Sequence, residues 1–266
     1  MRKKVNAQIV MVTLFLIVFG MISINSIAKM RNSEYPHKNR ITVYLAGDST
    51  VSDYSSSLAP RAGWGQVINR YFDDTVVVKN VASPGRSSKS FIDEGRLDSI
   101  LKQIKKGDYL FIQFGHNDEK KDDPSRYTDP NSSYKSYLKQ YIHGARAKQA
   151  IPVLVTPVER RSFTKEGNPR NSHGAYPAAM KELGFEEHVP VIDLTAKSKK
   201  LFQELGPERT KDVFLWLEPR ENKNYPKGVR DNTHFQENGA KQIASLVLEG
   251  IKEIKLVSLE NHIVTK

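Results

Sequence analysis

The sequence predicts an α/β fold in which a parallel sheet is covered by helices on both faces. Short segments rich in β-branched residues alternate along the chain with longer amphipathic segments, which is the pattern of repeated βαβ units. The short segments are almost continuously apolar, as expected for strands that are buried on both faces. With 266 residues, of which 38% are hydrophobic, the chain can form one sizeable core.

Each predicted element follows from its own composition and periodicity. Strands are predicted at 41–47, 75–82, 108–115, 151–157 and 189–194. Helices are predicted at 63–72, 92–107, 132–150, 177–188, 196–206 and 236–255. In an open parallel sheet, ligands bind beyond the carboxyl ends of the strands, so residues directly after a strand are the first candidates for a functional site.

The N-terminal 28 residues have the pattern of a secretory signal peptide. Three basic residues precede a 16-residue apolar run at 9–24, and small residues at 26 and 28 are suited to a cleavage site. The alternative is an uncleaved membrane anchor, although the run is shorter than the about 20 residues that usually span a bilayer. We therefore expect an extracellular protein, with a membrane attachment only if this segment is retained.

The remaining chain divides into a polar leader at 29–40, one domain at 41–255 and a C-terminal tail at 256–266. Without residues 1–28 it has 38 basic and 30 acidic residues, a net charge of +8. This charge favours anionic partners such as polyuronates, although it could serve solubility alone. No arginine-rich stripe with interleaved aromatic residues is present, so a nucleic-acid partner is not expected. The chain has no cysteine, which excludes disulfides, thiolate nucleophiles and cysteine-bound zinc.

Polar residues follow three predicted strands and precede the last predicted helix. Ser49 lies in "GDST", Gly85 in "SPGRS" and Asn117 in "GHND". Asp231 and His234 lie in "DNTH", three positions apart, so one short turn could place the carboxylate against the imidazole. The carboxylate would fix the ring tautomer and leave the other nitrogen free to accept a proton from a hydroxyl. Taken singly, a turn glycine, a capping asparagine or a surface histidine would explain each residue.

Together, these four blocks resemble those of the GDSL, or SGNH, hydrolases. Longer segments, among them "VYLAGDSTV", "GRSSKSFIDEGRL", "FGHND" and "DNTHFQENGA", resemble the rhamnogalacturonan acetylesterase branch, and the resemblance extends from about residue 41 to 252. One difference is Pro84, which stands where related proteins often carry a small residue. The resemblance implies a three-layer α/β/α fold with a five-stranded, flavodoxin-like parallel sheet, and ester hydrolysis without a cofactor or metal.

The resemblance also implies a role for each block. Ser49 would be the nucleophile, His234 its general base and Asp231 the group that orients the imidazole. The oxyanion would be held by the backbone N–H groups of Ser49 and Gly85 and by the Asn117 side chain. The implied substrate is an acetylated polysaccharide or oligosaccharide, above all rhamnogalacturonan, with acetylated xylan as the alternative.

Four further residues are candidates for contact with a sugar because they are aromatic or lie in a long loop. They are Trp64, His173, Trp216 and Tyr225. For the two tryptophans, a position in the core or at the rim of the site is the competing interpretation.

Two other classes of protein compete with the esterase hypothesis. A metal-dependent phosphoesterase could use oxygen and nitrogen ligands from Asp48, His116, Asp118, Asp231 and His234. That class needs an Asp-x-His motif well before the Gly-Asp and a Gly-Asn-His order after it, and the chain has neither. A non-catalytic wall-binding module would explain the charge and the predicted secretion but not the four converging polar blocks.

Overall fold

The computed structural model describes residues 40–264. The predicted signal peptide at 1–28 and all of the predicted leader except Arg40 lie outside these residues. No helix between residues 40 and 264 combines the length and the apolar character needed to cross a bilayer.

Residues 40–264 contain eight strands in two sheets. In chain order they are β1 (Ile41–Gly47), β2 (Arg61–Ala62), β3 (Val76–Asn80), β4 (Tyr109–Gln113), β5 (Ile151–Val155), β6 (Val191–Ile192), β7 (Phe214–Leu217) and β8 (Val229–Gln236). The α-helices of the same part of the chain are α1 (Trp64–Ile68), α2 (Ser88–Asp93), α3 (Arg96–Leu101), α4 (Ser133–Ala147), α5 (Tyr176–Glu186), α6 (Leu194–Arg209), α7 (Glu237–Glu253) and α8 (Val257–Glu260).

The central sheet confirms the predicted five parallel strands. Its order is β3-β1-β4-β5-β6, and every neighbouring pair is parallel. After β1 the chain crosses to β3 on one side and then returns to β4 on the other. The two crossovers therefore diverge beside β1, and the carboxyl ends of β1 and β4 border the crevice where open α/β sheets bind their ligands.

Helices cover both faces of this sheet, which confirms the predicted three layers. On one face, α1, α6 and α7 contribute buried side chains such as Trp64, Phe202 and Ile243 to the core. On the other face, α2 to α5 contribute buried side chains such as Phe91 and Leu138. Strand residues alternate between the two clusters, with Val43 in the first and Tyr44 in the second, because side chains alternate along a strand.

The single helix predicted at 92–107 is instead two short helices, α2 and α3. Ser87 caps the start of α2, since its side chain accepts a hydrogen bond from the Ser90 N–H while the Ser90 side chain accepts one from the Ser87 N–H. Gly95 then adopts φ +70°, a left-handed conformation that ends one helix and begins the next. The amphipathic pattern concealed this break because both helices bury the same side, with Phe91 and Leu97 in one cluster.

A second, antiparallel sheet was not predicted. Its order is β2-β8-β7, and its long strand β8 contains Asp231 and His234, which the sequence had placed in a turn. This sheet escaped prediction because β2 has only two residues and β8 reads "VRDNTHFQ", a mostly polar segment.

The segment that follows residue 255 is described up to Val264 and packs onto the domain. It contains α8, whose Leu259 is fully buried, and Ile263 forms an antiparallel bridge with Phe72. The Asp73 N–H also donates to the His262 carbonyl. These contacts make residues 256–264 part of the folded unit.

Candidate active site

A turn held by Asp48 presents Ser49 at the carboxyl end of β1. The Asp48 carboxylate accepts hydrogen bonds from the Thr50 N–H and the Thr50 hydroxyl, both at 2.8 Å. Its carbonyl accepts from the N–H groups of Val51 and Ser52 at 3.2 and 3.1 Å. These bonds fix the backbone on both sides of Ser49, which is itself only 8% exposed.

A buried chain of hydrogen bonds connects this turn to Trp64. The Trp64 indole N–H donates to the Gln113 side-chain oxygen at 2.8 Å, and the Gln113 amide donates to the Thr50 hydroxyl at 2.7 Å. Trp64 is fully buried, so of its two interpretations the structure supports the core position and not contact with a sugar. Its side chain instead supports the turn that carries Ser49.

Asp231 and His234 project from a large bulge in β8. Trp216 pairs with Arg230 and Phe214 pairs with Phe235, so the four residues 231–234 oppose a single residue of β7. Bulges of this kind redirect side chains and are common beside active sites.

Asn232 anchors the bulge through three hydrogen bonds. Its side-chain oxygen accepts from the Trp216 indole at 3.0 Å and from the Arg161 guanidinium at 3.2 Å. Its carbonyl accepts from the Arg161 backbone N–H at 2.9 Å. Because Asn232 follows Asp231 directly, these bonds also hold the carboxylate in place.

The turn that carries Ser49 and the bulge that carries Asp231 and His234 are joined by a continuous series of hydrogen bonds. Ser49 Oγ lies 2.9 Å from His234 Nε2, and His234 Nδ1 lies 2.7 Å from Asp231 Oδ2. Asp231 Oδ1 accepts from the backbone N–H groups of Thr233 and His234 at 2.8 and 3.0 Å. Burial favours the protonated carboxyl, but these hydrogen bonds and the His234 ring outweigh it and lower the pKa of Asp231 to about 2.

Gly85 lies in a tight turn beside Ser49. The Arg86 N–H donates to the Ser83 carbonyl at 3.4 Å, and Gly85 has φ +81°. Proline at the second position and a positive φ at the third are the features of a type II turn, so Pro84 suits this turn. The conformation requires glycine at position 85, since other residues adopt a positive φ at a cost.

Three residues that line the cavity have N–H donors without an acceptor among residues 40–264. Neither the Ser49 N–H nor the Gly85 N–H has a hydrogen-bond acceptor among residues 40–264. The Asn117 amide donates one hydrogen to the Arg86 carbonyl at 3.0 Å and keeps a second hydrogen. Ser49, Gly85 and Asn117 line the same cavity, so the three residues that the sequence indicated for an oxyanion site are brought together.

The cavity has a volume of about 380 Å³ and lies between loops that follow strands of the central sheet and residues of the antiparallel sheet. The residues that line it are Ser49, Arg61, Pro84, Gly85, His116, Asn117, Lys120, Arg160, Thr233 and His234. Sequence reasoning missed the three cationic members of this set as parts of the site. The adjacent "GHND" block could have indicated Lys120, three positions after Asn117, but no pattern indicated Arg61 or Arg160.

His116 lies against Asp48, the residue before Ser49, and is 3% exposed. Its Nδ1 is 3.2 Å from Asp48 Oδ2, and its ring meets the His173 ring edge-on at 4.4 Å between centroids. Burial lowers the pKa of His116 to about 4, against the opposing effect of the Asp48 carboxylate. The ring is therefore neutral near pH 7.

His173 is buried and does not line the cavity, so it is not placed to contact a sugar, contrary to expectation. It is 1% exposed, its Nε2 is 2.8 Å from the Val158 carbonyl, and its Nδ1 is 3.2 Å from the Glu119 carboxylate. Both ring nitrogens are thus engaged inside the protein, where His173 supports His116.

Trp216 and Tyr225 are half-buried but do not line the cavity. Cationic groups of Arg161, Lys211 and Arg230 lie 4.4, 5.2 and 5.7 Å from the Trp216 ring centre, so cation–π contacts surround the ring that was expected to stack on sugar. The Tyr225 hydroxyl donates to the Leu58 carbonyl at 2.9 Å and joins two loops near the site.

The candidate metal ligands of the phosphoesterase hypothesis do not converge. Asp231 binds His234 in the bulge, Asp48 faces His116, and Asp118 accepts hydrogen bonds from Ser88 and Thr128. Within residues 40–264, no group of three or more histidine or carboxylate side chains is arranged as a metal site.

This geometry is suited to acyl transfer. A hydroxyl hydrogen-bonded to an imidazole, which is itself oriented by an ionised carboxylate, is the arrangement of an activated serine nucleophile. Unpaired N–H groups in the same cavity are the kind of donor that stabilises the negative charge of a tetrahedral intermediate.

Comparison with known proteins also indicates an ester hydrolase. Residues 45–242 match the model of the GDSL-like lipase/acylhydrolase family. The chain is 50% identical over 229 residues to the rhamnogalacturonan acetylesterase RhgT of Bacillus subtilis, covering 86% of this chain and 97% of that protein. It is 45% identical over 221 residues to YesY of the same organism, a probable rhamnogalacturonan acetylesterase, covering 83% of this chain and 97% of YesY.

Solved structures share the fold. The crystal structure of Bacillus subtilis YxiM superposes with a TM-score of 0.68 at 32% identity, over 82% of this chain and 57% of that one. The acetylxylan esterase Axe2 of Geobacillus stearothermophilus superposes with a TM-score of 0.57 at 16% identity, over 80% of this chain and 96% of that one, which shows the fold alone. Since the family model matches well over half of the sequence, the chain belongs to the GDSL-like lipase/acylhydrolase family and is a carboxylic ester hydrolase.

Proposed function

We propose that this esterase is a carbohydrate acetylesterase that removes acetyl groups from rhamnogalacturonan. The observation that carries the reaction type is the hydrogen-bonded series from Ser49 through His234 to Asp231, with free N–H donors in the same cavity. The support for the substrate is the identity of 50% to RhgT and 45% to YesY, both named for rhamnogalacturonan.

In the first half of the reaction, Ser49 Oγ attacks the acetyl carbonyl and forms the new C–O bond. Its proton passes to His234 Nε2, 2.9 Å away. Asp231 accepts a hydrogen bond from the His234 Nδ1–H and stabilises the imidazolium that results. The low pKa of Asp231 keeps its carboxylate ionised while it does so.

The carbonyl oxygen becomes an oxyanion in this step. The N–H groups of Ser49 and Gly85 and the remaining Asn117 amide hydrogen are the donors for it. Loss of one such donor typically lowers turnover by about 10²- to 10³-fold.

Collapse of the intermediate breaks the bond to the sugar oxygen, which receives the proton from His234 and leaves as a hydroxyl. Water then attacks the acetyl-Ser49 carbonyl while His234 accepts one of its protons. A second collapse returns the proton from His234 to Ser49 Oγ and releases acetic acid, which ionises to acetate in water, so the enzyme is regenerated without a cofactor.

We also propose that the reaction takes place outside the cell. The support is the pattern of residues 1–28, a basic segment followed by an apolar run and small residues. The net charge of +8 without that segment would attract a polyuronate.

The test compares acetate release from acetylated rhamnogalacturonan, acetylated xylan and a long-chain ester, at low and high salt, with Ser49→Ala as the inactive control. Rhamnogalacturonan should give the highest kcat/KM at low salt, and its advantage should shrink as salt screens the charges. A preference for xylan or for the long-chain ester would refute the proposed substrate.

A further inference from the structure

Three cationic side chains line the active-site cavity, and none of the lining residues in the described part of the chain is acidic. The three cations are Arg61, Lys120 and Arg160. Arg160 is already neutralised, because its guanidinium forms an ion pair with Glu119 and donates to the Ser172 carbonyl. Among residues 40–264, the other two cations, Arg61 and Lys120, therefore have no ion-pair partner.

Arg61 lies on the side of the cavity that carries the general base. It is part of β2 and pairs with Gln236, two residues after His234. Its guanidinium carbon lies 4.4 Å from the centre of the Tyr54 ring. Its Nε is buried and has no hydrogen-bond partner among residues 40–264, and no carboxylate of those residues forms an ion pair with it.

Lys120 lies on the side of the oxyanion donors, three residues after Asn117. Its side chain is exposed and forms no ion pair or side-chain hydrogen bond within the described region. Desolvation by neighbouring protein atoms and the positive charges of Arg126 and Arg160 lower the pKa of Lys120, against the opposing effect of Asp123 and Glu119. An anion bound here would relieve that repulsion.

We propose that Arg61 and Lys120 form a subsite for the carboxylates of uronic acid residues in the acetylated chain. This inference rests on the proposed function, since it takes an acetylated polysaccharide as the substrate. A guanidinium and an ammonium are both strong donors to carboxylates, and here they border the cavity from two different elements. Local contacts with Arg61 and Lys120 then distinguish uronate-containing chains from neutral ones. They act in addition to the long-range attraction that the net positive charge of the enzyme exerts on a polyuronate.

The experiment uses acetylated rhamnogalacturonan and the same polymer after chemical reduction of its carboxyl groups to alcohols. Acetate release gives kcat/KM for both forms with the wild-type protein and with Arg61→Gln, Lys120→Gln and Lys121→Gln. Lys121 is the matched control, because it is exposed, adjacent in sequence and absent from the cavity lining. Its replacement changes the net charge by the same amount as replacement of Lys120.

We expect the wild type to favour the acidic polymer by about tenfold or more, since a hydrogen bond to a charged group contributes about 1.5–3 kcal/mol. Arg61→Gln and Lys120→Gln should each lower this ratio severalfold through a higher KM, whereas Lys121→Gln should keep it. Lys120→Arg retains the charge and should restore most of the preference.

Equal kcat/KM for the two polymers in the wild type would overturn the subsite and leave the proposed function standing, because acetate would still be released. The same conclusion would follow if both glutamine variants kept the wild-type ratio, or if Lys121→Gln lost it as fully as Lys120→Gln. Absence of acetate release from both polymers would instead refute the proposed function, and the subsite with it.

Discussion

Ser49 and Ser87 both lie near the carboxyl ends of neighbouring strands, but their surroundings differ. Ser49 Oγ is 2.9 Å from His234 Nε2 and lines the cavity. Ser87 is fully buried, and its hydroxyl oxygen accepts from the Ser90 N–H at 3.1 Å to cap α2. The hydroxyl of Ser49 can therefore be activated, whereas that of Ser87 serves the fold.

This contrast predicts opposite effects for the two alanine variants. Ser49→Ala should lower kcat by about 10⁴-fold or more without lowering stability, because the nucleophile is lost. Ser87→Ala should cost about 1 kcal/mol of stability through loss of a helix cap while activity remains. Steady-state kinetics and urea unfolding of both variants test this, and a Ser87→Ala protein that folds but does not turn over would contradict the assignment.

Asp118 gives a prediction about stability and pH. Burial, aided by the nearby Asp48 carboxylate, raises the pKa of Asp118 to about 7, although Ser88 and Thr128 donate hydrogen bonds to it. The folded-state pKa then lies above the unfolded-state value, so between about pH 4 and pH 7 the folded protein binds the extra proton. Stability should fall as pH rises through this window, by up to about 4 kcal/mol.

Urea unfolding of the wild type and of Asp118→Asn at pH 4.5 and pH 7.5 measures this effect. Asparagine does not titrate, so the stability of the wild type relative to the variant should decrease from the lower to the higher pH. A difference that stays constant, or that changes in the opposite direction, would show that the carboxylate remains ionised in the fold.

At the level of elements, the bulge in β8 determines the geometry of the site. Four residues of β8 oppose one residue of β7, and this excess backbone turns Asp231 and His234 toward Ser49. The Asp-x-x-His spacing correctly predicted that the carboxylate and the imidazole could meet. It could not predict the strand that carries them, because a bulge has no regular periodicity and β7 and β2 are very short.

Asn232 holds the bulge in place, and two substitutions at this position can separate this positioning role from the chemical step. Asn232→Ala removes the acceptor for Trp216 and Arg161 and should lower kcat about tenfold, with a loss of about 1 kcal/mol of stability for each hydrogen bond. Asn232→Asp keeps an oxygen acceptor in the same place and should retain most of the activity. Equal kcat in Asn232→Ala and the wild type would show that the strands position Asp231 without this anchor.

At the scale of the whole molecule, the layered fold could be predicted from the sequence because each strand and helix is recognised from residues that are close together in the chain. Apolar runs and amphipathic segments identify strands and helices from neighbouring residues alone, and alternation of the two implies a parallel sheet. The split at Gly95 went undetected because a single glycine is tolerated in many helical patterns.

Contacts between distant residues were harder to foresee. Ser49 and His234 are 185 positions apart, and only the shared blocks of the family suggested that they meet. Trp64 and His173 were candidates for contact with a sugar, yet each is held in the interior by a hydrogen bond to a partner that no pattern reveals. Arg61 and Lys120 are ordinary cations in the sequence, and the fold alone places them in one cavity.

The central claim is that Ser49 is the nucleophile of this ester hydrolase, and covalent labelling tests it most directly. The protein is treated with a fluorophosphonate, digested and analysed by mass spectrometry, with Ser49→Ala and His234→Ala as parallel samples. We predict one phosphonylated residue, Ser49, with no label in Ser49→Ala and much slower labelling in His234→Ala, because the imidazole must accept the hydroxyl proton. Label on Ser87 with Ser49 unmodified, or labelling that His234→Ala leaves unchanged, would contradict the mechanism.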